Sequence, residues 1–257
     1  MCLILLALRS HPAYKLIITA NRDEYYERPT AAAAFRAEIP DVLAGKDLRA
    51  GGTWLGITRK GRIAAITNYR DPASVKSGSP SRGKLVSDYL SGRESPVNFL
   101  DVLGKNAGQY NGFNLIVGER DDLYWYSNRG EGTHNLAPGI YGLSNHLLDT
   151  PWPKVIRGKE ALERLLYNEK DPAPDAFFRI LADRTIPHDE HLPDTGVGLE
   201  WERILSPIFI TSPTYGTRSS TLIMIDMNDR VTFIERTFNS DPDHATTVKY
   251  EFQIENT

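Results

Sequence analysis

One cysteine, Cys2, stands in a chain of 257 residues. That scarcity excludes an intramolecular disulfide and removes any benefit from an oxidising compartment, so a cytoplasmic or similarly reducing location is expected. Long apolar runs are also lacking, since no stretch approaches the roughly 20 residues that cross a bilayer. The opening MCLILLALRSHPAYKLIITANRDE is apolar, but Arg9 and His11 interrupt it and no small-residue cleavage site follows. It reads as two strands and not as a signal peptide, and a soluble protein that does not span a membrane is expected. Neither sign of charge dominates: the formal net charge is -3, with acids and bases interleaved. Without a basic stripe, nucleic acid is not an expected partner. The sequence has no Walker-type loop, no dinucleotide fingerprint after a strand and no zinc-protease signature. His188 and His191, beside Asp189 and Asp194, lack the further ligands that a metal needs and read as a solvated loop, so no metal is expected.

What is present is apolar text spread along the whole length, 40% hydrophobic against 25% charged, which allows a large core. The length suits one large layered unit, and a single domain over 1–257 is expected. Residues 2–9 and 15–20 are strand-like and joined by a Ser10-His11-Pro12 turn, with Asn21-Arg22-Asp23-Glu24 ending the second strand. A second hairpin is predicted from Thr53–Thr58 and Arg62–Thr67. Helices are expected over Arg82–Tyr89, Pro96–Ala107, Pro153–Asn168 and Asp175–Ala182, the third from its amphipathic spacing. Strands are expected at Phe113–Gly118, Leu123–Ser127 and Ile140–Leu143. A closing meander follows, from Ile208–Thr211 with Thr221–Asp226, then Val231–Thr237 and Val248–Ile254, turning at Asn228-Asp229. Many hairpin signals and few crossovers imply mostly antiparallel sheets with segregated helices, and two stacked sheets with helices outside bury such strands economically.

Several polar groups sit beside apolar strand text. Cys2 lies directly after the initiator Met, and Met removal would place a thiol and a free α-amine on one residue. An α-amine titrates at roughly 7.7 to 8.0 and can serve as base toward its own side chain; equally, Cys2 packs well as a small hydrophobe. Arg22 can lower a thiol pKa or orient a carboxylate, and Asp23 can anchor a terminal ammonium, although such tetrapeptides also form solvated turns. Thr67-Asn68-Tyr69, Leu143-Ser144-Asn145-His146 and Tyr215-Gly216-Thr217-Arg218 offer amides and a guanidinium at strand ends. Gly51-Gly52-Thr53-Trp54-Leu55-Gly56 sets flexible backbone against an aromatic, for a tight turn or for close approach of a ligand.

Taken in order, Met1-Cys2, Ala20-Asn21-Arg22-Asp23-Glu24, Gly51 to Gly56, Thr67-Asn68-Tyr69, Tyr110 to Leu115, Asn128-Arg129-Gly130, Tyr141 to Asn145, Thr150-Pro151-Trp152 and Tyr215 to Arg218 resemble the NRDE family, the transport and Golgi organisation protein 2 family. The resemblance runs from Met1 to about Phe252. It implies the α+β architecture of N-terminal-nucleophile hydrolases, a four-layer αββα sandwich of two mostly antiparallel sheets with outer helices. Carried over from the related choloylglycine and penicillin acylases, Cys2 would be the nucleophile, with Arg22 and Asp23 as its supporting pair. Asn68 and Asn145 would be oxyanion or amine-orienting donors, and Arg218 the distal arginine. The chain departs from those acylases in having its Arg and Asp adjacent, where they are separated by two residues. The family is also implicated in haem trafficking and in lipid or acyl-CoA metabolism. Two readings follow. The first is a haem-handling protein whose cleft offers Trp54 and Tyr69 as aromatic wall and Arg22 and Arg218 for the propionates, with His146 or Cys2 as candidate axial ligand. The second is a cysteine hydrolase of amides or thioesters acting on an acyl compound. A plainer alternative is an inactive scaffold that presents surfaces to partners.

Overall fold

The computed structural model describes residues 2–238 and 244–255. Two antiparallel sheets form the centre. The first is ordered β10-β1-β2-β11-β12-β13, from β1 (Cys2–Leu8), β2 (Tyr14–Tyr25), β10 (Gly139–Leu143), β11 (Tyr215–Asp226), β12 (Arg230–Phe238) and β13 (Ala245–Gln253). The second runs in chain order, from β3 (Thr30–Arg36), β4 (Ile39–Asp47), β5 (Leu55–Thr58) and β6 (Arg62–Asn68) to β7 (Phe113–Glu119), β8 (Asp122–Ser127) and β9 (Thr133–Asn135). Helices α3 (Pro153–Asn168) and α4 (Pro174–Leu181) cover the outer face of the first sheet, and α1 (Gly83–Ser91) and α2 (Pro96–Asn106) that of the second. A short α5 (Leu199–Leu205) precedes β11. The expected αββα layering is present.

The layering explains the composition of the central strands. In β1, Ile4, Leu6 and Leu8 face the second sheet, while Leu3, Leu5 and Ala7 face the helices, and every residue of the strand is buried. A strand covered on both faces loses the polar alternation of a half-buried one, which is why CLILLAL is continuous apolar text. On the helix side, α3 approaches so closely that a Cβ on Gly158 would lie 2.9 Å from the Leu5 side chain, so any larger residue there requires Leu5 to shift.

Two expectations are corrected, and four elements carried no expectation. Strand β2 does not end before Asn21-Arg22-Asp23-Glu24 but continues through them to Tyr25, because β1 and β11 flank this segment and take up its backbone groups. Residues 208–211 form no strand beyond one isolated bridge, Thr211 to Gly216, and β11 instead starts at Tyr215. Residues 30–47, whose alanines and scattered charges carry no usable period, form β3 and β4. Finally, β9 and α5 are too short for a periodic signal.

Candidate functional site

Strand pairing places the site. Cys2 stands opposite Arg22, Arg22 opposite Ser219, and Ser219 opposite Thr237, a transverse row across β1, β2, β11 and β12. All four line a cavity of about 330 Å³ between the sheets. From the second sheet it receives Ala31, Gly45, Lys46, Trp54, Ile66 and Asn68, and from the start of α1 it receives Arg82 and Gly83. The row one step deeper is Ile4, Ala20, Thr221 and Glu235. There Ile4 and Ala20 belong to the apolar core and close one side, while Glu235 opens to the cavity.

A bulge makes the arrangement possible. Asp23 pairs with Thr217 and Arg22 with Ser219, which leaves Arg218 as an inserted residue. An inserted residue breaks the two-residue alternation and re-aims side chains. Thr217 therefore turns with Asp23 toward the helices, its Oγ donating to Asp23 Oδ1 at 2.7 Å. Ser219 and Arg218 meanwhile serve the cavity. Arg218 Nη1 donates to the carbonyls of Tyr25, Tyr26 and Arg28 at 2.8, 3.2 and 3.0 Å and so pins the chain leaving β2, while its Nε meets no acceptor among the described residues.

The two glycines of the Gly-Gly-Thr-Trp segment have different tasks. Gly51, at φ +78°, supplies the turn. A Cβ on Gly52 would lie 2.5 Å from the backbone of Gly83, so Gly52 lets the start of α1 press against β5's entry and brings Arg82 to the cavity. Trp54 lines the wall, nearly buried.

Arg22 is 7% exposed and its Nη1 has no hydrogen-bond partner among the described residues, while its nearest carboxylate is Glu24 at 3.9 Å. Arg82 donates to the Gly112 carbonyl at 2.8 Å and, like Arg218, forms no ion pair among the described residues. Arg28 is matched by Asp47 at 2.7 Å. Burial pushes the Cys2 thiol above its ordinary value, the nearby Asp23 charge adds to this, and Arg22 and the Asp23 backbone N–H oppose it. The resting group is a thiol that needs a base before it can attack.

The sequence-derived residues separate into three groups. Cys2, Arg22, Asp23, Trp54, Asn68 and Arg218 all border the cavity. Asn68 presents a side-chain amide without hydrogen bonds to the described residues, while its carbonyl accepts from Asn145 Nδ2 at 2.9 Å. Asn145 itself is fully buried behind the cavity, in a seam that ties the sheets together. Its carbonyl accepts the Arg70 N–H at 2.7 Å, and neighbouring Ser144 Oγ donates to the Cys2 carbonyl at 3.2 Å. Tyr69 and His146 lie outside the lining. Tyr69 OH and His146 Nε2 are 2.7 Å apart, and His146 Nδ1 is 2.9 Å from Thr150 Oγ1, so both ring nitrogens are engaged. Asp23 borders the cavity with its backbone but turns its carboxyl to the helix side, where burial raises its pKa.

Beneath that carboxyl lies a set of charges that no sequence pattern announced. Lys154, fully buried in the first turn of α3, donates to the Leu205 carbonyl at 2.9 Å; burial pulls its pKa down to about 8 against the attraction of Asp23. Arg70 and Glu202 form a buried ion pair at 2.5 Å, with Arg70 also 4.7 Å over the Trp152 ring. Glu235, 3% exposed, was likewise unmarked in sequence, and burial holds it above the usual carboxylate range. The fate of Met1 lies outside the described residues.

Comparison with known proteins agrees with this architecture. The conjugated bile acid hydrolase of Clostridium perfringens, as a C2A mutant, superposes with a TM-score of 0.53 at 10% identity, covering 100% of this chain and 99% of that one. An N-acylethanolamine-hydrolyzing acid amidase ortholog of Caenorhabditis elegans gives 0.52 at 12% identity over 86% and 92%. Both share the fold. In sequence, the Transport and Golgi organization protein 2 homologs of Bos taurus and Homo sapiens are 37% and 35% identical, each match covering 99% of this chain and 100% of the relative. The Transport and Golgi organisation 2 family model matches residues 1–240, and the chain belongs to that family.

Proposed function

We propose that this protein is a cysteine amide or thioester hydrolase of the N-terminal-nucleophile kind. The observation that carries the reading is the convergence, at one end of the gap between the sheets, of the Cys2 thiol with Arg22 Nη1 and the Asn68 amide, neither of which has a hydrogen-bond partner among the described residues. The fold is shared with proteins named as a conjugated bile acid hydrolase and an N-acylethanolamine-hydrolyzing acid amidase ortholog. In this reading Met1 is removed and the freed α-amine of Cys2 takes the thiol proton. The sulfur then bonds to the substrate carbonyl carbon, and the carbonyl oxygen carries the charge. In this reading Asn68 Nδ2 and Arg22, which line the same cavity, donate to that oxygen. Collapse breaks the bond to the amine or thiol leaving group, which departs with the proton held by the α-amine. Water, giving its proton to the same amine, then attacks the thioester carbon, and the acid and the free thiol are released.

Intact mass of the protein from its native host, together with turnover of an acyl-amide and acyl-CoA panel, tests the reading. The expected result is loss of Met1, an acyl adduct on Cys2, and no turnover by Cys2→Ala. A retained Met1, or turnover unchanged in Cys2→Ala, would overturn it.

The haem-handling reading is supported by one specific observation, the cavity guanidinium groups of Arg22, whose carboxylate partner Glu24 is 3.9 Å away, and of Arg218, which forms no ion pair among the described residues. They suit two propionates. With both nitrogens of His146 engaged, Cys2 is the donor left to the iron. Absorbance titration with haem, repeated on Arg22→Ala and Cys2→Ala, checks it; absence of stoichiometric binding at low micromolar protein would reject it.

A further inference from the structure

Glu235 plays no part in the chemistry above, yet it lies deep in the same cavity. From β1 to β12 is three strand steps, about 14 Å at ordinary inter-strand spacing, so the carboxyl stands at the far end from the thiol. Its Oε1 accepts the Ala33 N–H at 2.7 Å. That bond has a structural purpose, because Ala33 falls where the pairing of β3 with β4 is interrupted between Ala31 and Ala34. Oε2 is different. Among the described residues its one hydrogen bond is a long one from Thr221 Oγ1, at 3.4 Å. The wall over it is built from small residues, Ala31 and Gly45, and a Cβ added to Gly45 would sit 3.7 Å from Oε2. A carboxyl has about four acceptor sites, so a buried oxygen with one distant donor retains capacity toward the space in front of it. A buried acceptor left unmatched is costly, and filling the space with a leucine or methionine would have been the cheaper packing.

We infer that Glu235 is a specificity-determining residue: it accepts a hydrogen bond from an O–H or N–H group at the end of the substrate's acyl portion remote from the scissile carbonyl. The inference rests on the hydrolase reading for its assignment of ends. The acyl portion remains attached to Cys2 through the second half of the reaction and suits the closed end, whereas the leaving group departs past Ala50 and Pro80, which are exposed at the rim. The polar lining around Glu235, with Ser219, Thr237 and Arg22, rejects a purely hydrocarbon chain. A site built around a buried acceptor discriminates strongly against an analogue lacking the donor, because the acceptor is then dehydrated without replacement.

The test compares ω-hydroxyoctanoyl, ω-aminooctanoyl and octanoyl p-nitroanilides. For the unaltered protein, kcat/KM for one or both donor-bearing substrates should exceed that for the octanoyl compound by on the order of 10- to 100-fold, the span of a hydrogen bond to a charged group. The better of the two donors tells hydroxyl from ammonium recognition. In Glu235→Gln the side-chain oxygen keeps Ala33 while the cavity acceptor becomes an amide N–H donor, and the ratio should fall toward one, chiefly through KM. Gly45→Ala, whose Cβ meets only ordinary contacts, should lower the ratio by covering Oε2 and keeps the test intact if Glu235→Gln folds poorly. A ratio near one in the unaltered protein, or a ratio unmoved in both variants, overturns the inference. Calorimetric titration of Cys2→Ala with ω-hydroxyoctanamide, ω-aminooctanamide and octanamide reads the same preference without turnover. A donor preference there with no hydrolysis anywhere sustains the role of Glu235 while rejecting the hydrolase. Equal or absent binding of all three rejects the role.

Discussion

The two faces of strand β2 treat most of their polar groups in opposite ways, Thr19 Oγ1 being the helix-side exception without a partner among the described residues. On the helix side, Asn21 Nδ2 donates to the Leu181 and Ile208 carbonyls, both at 2.9 Å, and its Oδ1 accepts from Ser220 at 2.6 Å. Lys154 holds the Leu205 carbonyl, and Glu202 answers both Arg70 and the Thr195 N–H. On the cavity side, one residue away, Arg22 Nη1, Arg218 Nε and the Asn68 amide have no such partners among the described residues. Buried polar groups with partners specify packing; those without partners cost stability and persist where a ligand supplies the missing bonds. In the proposed reading the helix side is the structural half of the NRDE segment and the cavity side its working half.

Breaking the Arg70–Glu202 pair should give the largest effect. Arg70→Ala leaves a buried carboxylate without its partner and should lose about 3 to 5 kcal/mol, measured as the shift of a urea unfolding curve. The double variant Arg70→Met with Glu202→Leu removes both charges and should recover most of that loss. A single variant as stable as the unaltered protein would show that this face tolerates unpaired charge as the cavity does.

Lys154 sharpens the comparison through pH. Its folded pKa of about 8 lies below the ordinary value of 10.5, so between these limits the unfolded chain binds more protons than the folded one. Stability contributed by this group therefore rises with pH across that window, by at most about 3 kcal/mol. The raised Cys2 thiol acts in the opposite direction at alkaline pH, so the quantity to read is the difference between the unaltered protein and Lys154→Met. That difference should climb from pH 8 to 10.5 and be flat at lower pH, as followed by thermal melts. A flat difference throughout would mean that the ammonium is well compensated.

The division between faces also marks what the sequence could disclose. Helix α3 was legible to its ends because its apolar residues recur at helical spacing and Pro153 suits a first turn. The β1–β2 hairpin was legible from two apolar runs around a turn, and it carried Cys2 and Arg22 to adjacent positions. The burial of Asn21 and Asp23 was not, since a polar tetrapeptide reads as a strand end until its partners, Leu181, Ile208 and Thr217, are brought from 160 or more residues away. Arg218 was found by its neighbours in the text, but its bulge depends on register with β2, which no local pattern encodes. Lys154 and Glu235 are single polar letters in amphipathic surroundings, where solvent exposure is the ordinary reading. Asn145 was expected as a donor at the cavity, yet it lies behind the lining and its amide serves the Asn68 carbonyl.

Asn68 gives the smallest expected change in stability and for that reason the cleanest contrast. Its side chain is half-buried at the cavity and holds nothing within the described protein, so Asn68→Ala should shift unfolding by no more than about 0.5 kcal/mol. Asn145→Ala, which removes a fully buried amide from its part-buried carbonyl partner and loosens the seam between the sheets, should cost about 1 to 3 kcal/mol in the same measurement. If Asn68 donates to the developing oxyanion, its loss lowers kcat by on the order of 100-fold while the melting curve stays in place. Equal destabilisation by the two substitutions would instead place Asn68 with the structural face, and the working half of the segment would shrink to Cys2, Arg22 and Arg218.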